Sequence, residues 1–185
     1  YLNEAKNTER FREDFKNTPW VRIPRVFSEL STERMLVMEF VESLKLTDTK
    51  KIESLGLDKQ LLAKRTADSF LNQVIRTGYF HCDPHPGNLC VDTSGNLVYY
   101  DYGMMDELNP TVREGFRNLC FALFEGGPYI SDIALAKQAR QFKLALEQMG
   151  VLAKGADTLA VEKFGRFCIT TFKDVQKGGS PSNIK

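Results

Sequence analysis

The feature that most constrains the fold is a set of three polar side chains placed around a hairpin in residues 78–103. Asn88 follows Asp83 by five residues, and Asp101 follows Asn88 by thirteen. Residues 89–100 form two short apolar segments around a Ser-Gly turn, a pattern that predicts a β-hairpin. Because a hairpin brings its two ends side by side, we expect Asn88 and Asp101 to face one point, with Asp83 just upstream.

These residue types suit magnesium-dependent phosphoryl transfer. Magnesium takes oxygen ligands, often one or two carboxylates together with phosphates and water. The side-chain carbonyl of Asn88 and the carboxylate of Asp101 meet that need, and Asp83 can orient a hydroxyl group and accept its proton. The order of the three residues is that of a protein-kinase catalytic loop followed by its metal-binding Asp-Phe-Gly.

The same stretch permits a second interpretation, a metallohydrolase. In an extended segment alternate residues face one side, so His81, Asp83 and His85 could together bind zinc or iron. Two prolines constrain the segment, and the chain has only two histidines, so no second site of this kind can be completed. Each histidine also has a structural interpretation, in which it hydrogen-bonds and orders the loop.

Periodicity elsewhere predicts an α+β chain that becomes helical after residue 103. The first part contains a helix over 1–17, a strand over 20–27 that Pro24 bends or confines to an edge, and a buried strand over 35–41 interrupted by Glu39. Capping residues and three-to-four spacing predict the remaining helices, one directly after Thr47-Asp48 and others over 59–77, 110–125, 131–149 and 157–175.

Bulk properties exclude several classes of protein. A formal net charge of +1 offers no electrostatic basis for nucleic-acid binding. The apolar runs are too short to span a membrane, which takes about 18 residues or more. Four scattered cysteines favour free thiols in a reducing compartment. The first residue already falls within a helical pattern, so we expect the chain to be cut from a longer protein.

The central motif resembles one family. His81-Cys-Asp-Pro-His-Pro-Gly-Asn88, followed by Asp101-Tyr-Gly-Met-Met105, is similar to the UbiB, or aarF-domain, family of atypical protein-kinase-like proteins. Its usual motifs are His-Ala-Asp-Pro-His-Pro-Gly-Asn and Asp-Phe-Gly-Met-Met. Residues 1–7 resemble the family's αC-like helix, and residues 21–26 and 34–41 resemble its last N-lobe strands and hinge. The helices after Met105 are similar to those of plastid members.

The resemblance implies a protein-kinase-like fold that is truncated at its N-terminal side. Residues 1–41 would be the remnant of the N-lobe and hinge, residues 42–176 a mainly helical C-lobe with the catalytic-loop hairpin, and residues 177–185 a flexible tail. The family's ATP-binding lysine and alanine-rich nucleotide loop should precede the first residue. We therefore expect these residues on their own to bind ATP poorly and to be inactive.

The resemblance also implies a role for each residue that matches the motifs. Asp83 and His81 would be catalytic, and Asn88 and Asp101 would bind magnesium. On the nucleotide side, Glu4 would pair with the ATP-binding lysine, and Met38 would be the gatekeeper. Glu39 and Val41 would form the hinge that meets adenine. Three residues depart from the usual pattern. Cys82 replaces alanine and Tyr102 replaces phenylalanine, both mild changes, while Ser43 stands where the hinge usually has glycine.

The implied function is that of an atypical kinase or ATPase that uses ATP and Mg²⁺ in prenylquinone or isoprenoid-lipid metabolism. The implied location is an organelle, the chloroplast ahead of the mitochondrion, at the periphery of a membrane. ATP is the expected partner, with an isoprenoid lipid or a membrane surface as a further one and no nucleic acid. The phosphoryl acceptor and the oligomeric state stay open, and a nucleotide-binding pseudokinase scaffold is the alternative function.

Overall fold

The computed structural model describes residues 1–153 and 155–178, which divide into two compact units, Tyr1–Leu108 and a second that begins at Asn109. The predicted domain boundary after residue 41 falls inside the first unit. Residues 179–185, most of the predicted tail, lie outside the described part of the chain.

The first unit carries the hairpin and the segments packed on it. Its elements in chain order are α1 (Leu2–Phe15), β1 (Val21–Arg22), a 3₁₀ turn (Ser28–Leu30), β2 (Ser43–Lys45), α2 (Thr49–Ser54), α3 (Lys59–Leu71), a π-helical turn (Asn72–Thr77), β3 (Tyr79–His81), β4 (Leu89–Asp92), β5 (Leu97–Tyr99) and β6 (Met105–Glu107).

A four-stranded sheet in the order β1-β5-β4-β2 forms the centre of this unit. The predicted hairpin is confirmed as β4 and β5, which pair antiparallel with Leu89 opposite Tyr99. β2 adds to β4 antiparallel, and β1 adds to β5 in parallel. β3 and β6 form a separate antiparallel ribbon that directly flanks the predicted catalytic loop.

The predicted buried strand over residues 35–41 is wrong. The segment makes only isolated bridges, Val26 with Met38 and Thr32 with Met35, and Phe40 is 89% exposed although Val41 is buried. The backbone of this segment hydrogen-bonds to the residues that directly follow Pro24. A proline cannot donate to a ladder, so pairing does not extend along the apolar run.

Helix boundaries follow the predicted capping residues. Asp48 and Asp58 each accept backbone hydrogen bonds at the start of α2 and α3. The predicted helix over 59–77 is confirmed in extent, but its last six residues widen into the π-helical turn. Gly78 ends it in the left-handed region, with φ of 77°.

The core of the first unit joins α1 to the hairpin. Phe11 and Phe15 are buried and lie 4.6 Å apart between ring centroids. Phe11 also contacts the rings of Tyr99 and Tyr102 at 5.2 and 5.3 Å. Tyr102, the residue after Asp101, is thus held by aromatic packing from α1.

Among its described residues the second unit contains three helices, as predicted: α4 (Pro110–Phe124), α5 (Asp132–Gln148) and α6 (Thr158–Gln176). Its core includes Ala122, Ala139, Phe142 and Ile169. The buried Lys173 donates to the carbonyls of Glu125 and Gly127, each over 3.0 Å, and so satisfies groups at the end of α4. Within the described ranges no helix is long and apolar enough to cross a membrane.

Candidate active site

His81 connects the backbones of the two predicted acidic site residues. It ends β3 and is 4% exposed. Its Nδ1 accepts the Asp83 N–H over 3.0 Å, so the ring proton lies on Nε2, which donates to the Asp101 carbonyl over 2.7 Å. Both ring nitrogens are therefore hydrogen-bonded to the backbone. This arrangement favours a role for His81 in positioning the loop over the predicted role in catalysis.

Gln73 supports His81 from the π-helical turn. Its Oε1 accepts the His81 N–H over 3.0 Å, and its Nε2 lies 3.5 Å from the hydroxyl of Tyr99. Gln73 is fully buried, and burial raises the pKa of Tyr99 to about 12, so the phenol stays protonated. A π-helical turn commonly marks a functional site because the wider turn redirects one side chain inward.

Asp83 begins a tight, exposed loop. Its carbonyl accepts the N–H of His85 over 2.7 Å, and the His85 carbonyl accepts the N–H of Asn88 over 2.9 Å. The ring of His85 accepts the Gly87 N–H through Nδ1 over 3.0 Å. Successive turns thus return the chain to the start of β4 and leave the Asp83 carboxylate on the solvent side.

Asn88 lies at the mouth of the hairpin, opposite Tyr100. Its carbonyl accepts the Tyr100 N–H over 3.2 Å, so the hairpin places Asn88 beside the residue that precedes Asp101. Its amide nitrogen lies 3.5 Å from the Asp83 carbonyl.

Asp101 and Gly103 form the turn that follows β5. Oδ1 of Asp101 accepts the Gly103 N–H over 2.9 Å, and a Cβ at Gly103 would lie only 3.3 Å from that oxygen. Between them Tyr102 is fully buried and donates its hydroxyl to the Tyr99 carbonyl over 3.0 Å. The extra hydroxyl of Tyr102 therefore has a partner, which explains why tyrosine fits here in place of phenylalanine.

The predicted hinge residues are already engaged by neighbouring side chains. Glu39 pairs with Arg22 over 2.7 Å and accepts the Arg25 N–H over 3.2 Å, and the Arg22 hydrogen bond, followed by the Arg25 one, lowers the pKa of this carboxyl. The Val41 carbonyl accepts the hydroxyl of Tyr100. The Tyr100 hydroxyl thus takes one of the two lone pairs of this carbonyl.

The other two predicted nucleotide-side residues, Glu4 and Met38, lie in the first unit. Glu4 is half-buried in the first turn of α1, where its carbonyl accepts the Thr8 hydroxyl over 2.7 Å. Met38 is half-buried and bridges to Val26. Their described hydrogen bonds and bridges are made within α1 and with the chain near Val26.

The three residues of the metallohydrolase interpretation are not brought together as ligands. His81 is buried and committed to backbone, whereas His85 is exposed. Across residues 1–153 and 155–178, no three His, Cys, Asp or Glu side chains cluster closely enough to hold a metal ion. The geometry thus favours the structural interpretation of both histidines.

The donor set instead fits magnesium with a phosphate ligand. Asn88 presents an amide oxygen, and Asp101 has a second carboxylate oxygen, Oδ2, beyond the one that accepts Gly103. One carboxylate and one carbonyl are few ligands for calcium but are usual for magnesium, which completes its shell with phosphates and water.

Three residues that support the site were not predicted from the sequence. Asn7 donates through Nδ2 to the Tyr102 carbonyl over 2.8 Å, Gln73 holds His81, and Tyr100 reaches the hinge. Asn7 and Gln73 lie on helices where a polar residue is ordinary. Only Tyr100, polar at the end of an apolar strand, had a pattern that could have marked it.

Comparisons with known proteins agree with the central motif. Residues 1–127 match the family described as the ABC1 atypical kinase-like domain. Two Arabidopsis thaliana proteins named ACTIVITY OF BC1 COMPLEX KINASE 8 and 7, chloroplastic, are 35% and 39% identical to 94% and 68% of this chain. AarF domain-containing kinase 1 of Drosophila melanogaster is 33% identical over 83% of the chain.

The chain spans only part of each of these relatives: 22% and 18% of the two plant proteins and 30% of the fly protein. A solved structure, the complex of Rv3197 with erythromycin from Mycobacterium tuberculosis, aligns with 94% of this chain and 53% of its own at a TM-score of 0.49 and 20% identity.

Proposed function

Because this chain belongs to the ABC1 atypical kinase-like family, we propose that residues 78–103 are the base-and-metal half of an ATP- and magnesium-dependent phosphoryl-transfer site. The kinase-like fold and the aarF-domain resemblance are confirmed by the family match. The whole protein would be an atypical kinase or an ATPase. The observation that carries this proposal is His81, whose two ring nitrogens hold the backbones of Asp83 and Asp101 at fixed positions.

Each residue has one task in the proposed reaction. Asp83, exposed on its loop, orients the acceptor hydroxyl or water and takes its proton. Asn88 and Asp101 would hold magnesium, which neutralises phosphate charge when bound. His81 is a positioning residue that keeps the loop and the metal-binding turn in register, so that the acceptor lies in line with the phosphate.

The nucleotide would lie against the predicted hinge. In this proposal Met38 borders the base, and Glu39 and Val41 meet it through their backbone, while Glu4 pairs with a lysine. The Arg22 pair supports this arrangement because it holds the Glu39 side chain to β1 and so steadies the hinge peptide. These roles rest on the family resemblance together with the position of each residue in the first unit.

The setting we propose is a plastid. The supporting observation is that both plant relatives carry the word chloroplastic in their names. A role in prenylquinone or isoprenoid-lipid metabolism, at the periphery of a membrane, follows from the family resemblance. An isoprenoid lipid or a membrane surface would be the further partner of the whole protein.

The test is ATP turnover by the full-length protein with Mg²⁺, in wild type, Asp83→Asn and Asp101→Asn. Asp83→Asn should lower turnover by about 10²-fold or more while ATP still binds. Asp101→Asn should also weaken the dependence of ATP binding on magnesium. Asp68→Asn is the control, since this carboxylate is 42% exposed and pairs with Lys64 on the helix surface. Unchanged turnover in Asp83→Asn would instead favour a pseudokinase scaffold.

A further inference from the structure

Three buried side chains connect α3 to the proposed active site through hydrogen bonds. Ser69 and Gln73 are fully buried, and Tyr99 is 2% exposed. The hydroxyls of Ser69 and Tyr99 are hydrogen-bonded to each other, and Nε2 of Gln73 lies 3.5 Å from the same Tyr99 oxygen. Because Ser69 and Gln73 are four residues apart, one face of the helical segment presents both of them to Tyr99.

The direction of each bond in this chain is fixed at its far end. Ser69 has one proton, which it donates over 3.0 Å to the Thr66 carbonyl, a group that can only accept. Tyr99 is therefore the donor between the two hydroxyls, and its phenol keeps the proton because burial raises its pKa to about 12. The Tyr99 oxygen thus offers only lone pairs to Gln73.

This direction matters because the two ends of the Gln73 amide are chemically opposite. Oε1 accepts the His81 N–H over 3.0 Å, and Nε2 is directed at the Tyr99 oxygen. A flipped amide would place its NH₂ group against the His81 N–H, and its oxygen against a phenol oxygen that has already given its proton to Ser69. The Tyr99 contact is long for a hydrogen bond, so it acts mainly by opposing this flip.

The chain of bonds meets the proposed active site at His81. The ring of this residue holds the Asp83 N–H through Nδ1 over 3.0 Å, and Asp83 is otherwise on an exposed loop. The turn of Asp101 has a support of its own, since Asn7 donates to the Tyr102 carbonyl over 2.8 Å. A loosened His81 peptide should therefore disturb the proposed base more than the proposed metal-binding turn.

We propose that Ser69 and Tyr99 are positioning residues for the proposed phosphoryl transfer, because their paired hydroxyls keep the oxygen of the Gln73 amide toward His81. The inference rests on the proposed function, since it takes Asp83 as the base. Its particular content is that the rate of transfer depends on two hydroxyls in the core of the first unit, which act through Gln73 and His81.

The first measurement is amide hydrogen exchange at His81 in the full-length protein, by mass spectrometry with single-residue fragmentation. Tyr99→Phe and Ser69→Ala should each raise the exchange rate of the His81 N–H about fivefold, the equivalent of one ordinary hydrogen bond. The reference is the N–H of Leu108, which donates to the Gly78 carbonyl over 2.8 Å. A general loss of stability would raise both rates equally, and that result would overturn the inference.

The second measurement is ATP turnover by the same proteins with Mg²⁺. Tyr99→Phe and Ser69→Ala should each lower kcat about fivefold, while the dissociation constant of ATP stays within about twofold of wild type, because the disturbed residue is the base. Ser54→Ala is the matched control, since Ser54 also donates to a carbonyl three residues earlier but is exposed. Tyr129→Phe, at an exposed tyrosine, is the second control. Both controls should leave exchange and kcat unchanged.

The outcomes separate this inference from the proposed function. If wild type turns over no ATP, the proposed function fails, and the inference fails with it. If wild type is active and Tyr99→Phe leaves His81 exchange or kcat at the wild-type value, the inference alone is overturned. Should Tyr99→Phe not fold, Ser69→Ala removes a single oxygen atom and must show both effects.

Discussion

Asn7 donates its side-chain amide to the backbone carbonyl of Tyr102 over 2.8 Å, and so joins α1 to the turn that carries Asp101. Two further contacts reinforce this junction. Arg10 pairs with Glu107 of β6 over 2.7 Å, and its guanidinium lies 3.9 Å from the centre of the Tyr79 ring. One helix thus holds both the proposed metal-binding turn and the ribbon next to it.

Replacement of Asn7 by alanine should lower the free energy of unfolding of the protein by about 1 kcal/mol, because the Tyr102 carbonyl loses its partner. Equilibrium urea unfolding checks this value. ATP turnover of the full-length protein should fall as well, since the turn is less well held. Lys6→Ala, an exposed neighbour on the same helix, is the control. Equal stability of the two variants would mean that the Asn7 bond contributes nothing.

His81→Phe should destabilise the protein by about 1–3 kcal/mol, because it leaves the Asp83 N–H and the Asp101 carbonyl without partners. His85→Ala should stay within about 0.5 kcal/mol of wild type, because that ring is exposed. Denaturant unfolding of both variants makes the comparison. If His85→Ala were the more damaging change, the assignment of His81 as the residue that organises the loop would be wrong.

Gly115 lies where α4 meets α5. A Cβ at this position would lie 2.6 Å from Cγ of Met149 and 3.1 Å from the Ala145 carbonyl. Gly115→Val should therefore cost about 1–3 kcal/mol by overpacking, although valine is otherwise the better helix residue. Thermal unfolding tests this, with the exposed neighbour Glu114→Val as the reference. A Gly115 variant as stable as the reference would show that the helices separate at no cost.

Asp14 should make stability depend on pH. Burial raises the pKa of its carboxyl, the nearby Arg10 offsets this only in part, and Oδ2 has no hydrogen-bond partner among the described residues. A raised folded-state pKa means that the charged form is penalised, and the penalty grows as pH rises through the ordinary aspartate range. Asp14→Ala should thus raise the free energy of unfolding at neutral pH.

That gain should shrink as the pH falls below the ordinary aspartate range, where both states are protonated. Urea unfolding from neutral to acidic pH measures it. Glu13→Ala, the exposed neighbour, provides the comparison. A gain of the same size at every pH would point to helix propensity and not to the buried charge.

The sequence could predict what is local. The hairpin follows from two short apolar segments around a Ser-Gly turn, and it brings Asn88 opposite Tyr100 without help from distant residues. The caps at Asp48 and Asp58 are equally local. The likeness of the loop to one family then follows from eight consecutive residues.

What the sequence could not predict depends on distant partners. β1 has only two residues, and its parallel pairing with β5 has no periodic pattern to mark it. The π-helical turn that directs Gln73 at His81 looks like ordinary helix in the sequence. The prediction of a buried strand over 35–41 was wrong for the same reason. Apolar residues form a buried strand only where neighbouring segments cover both faces, and Phe40 is exposed to solvent.

The bond between Asn7 and Tyr102 spans 95 residues of chain, and this separation has a kinetic consequence. The hairpin can form early because its strands are joined by a short turn, whereas α1 must close a long loop before it docks. The last event in folding of the first unit would then be the one that secures the proposed metal-binding turn. Ligand binding would report on completion of the whole unit, and a partly folded chain would carry an intact hairpin with no working site.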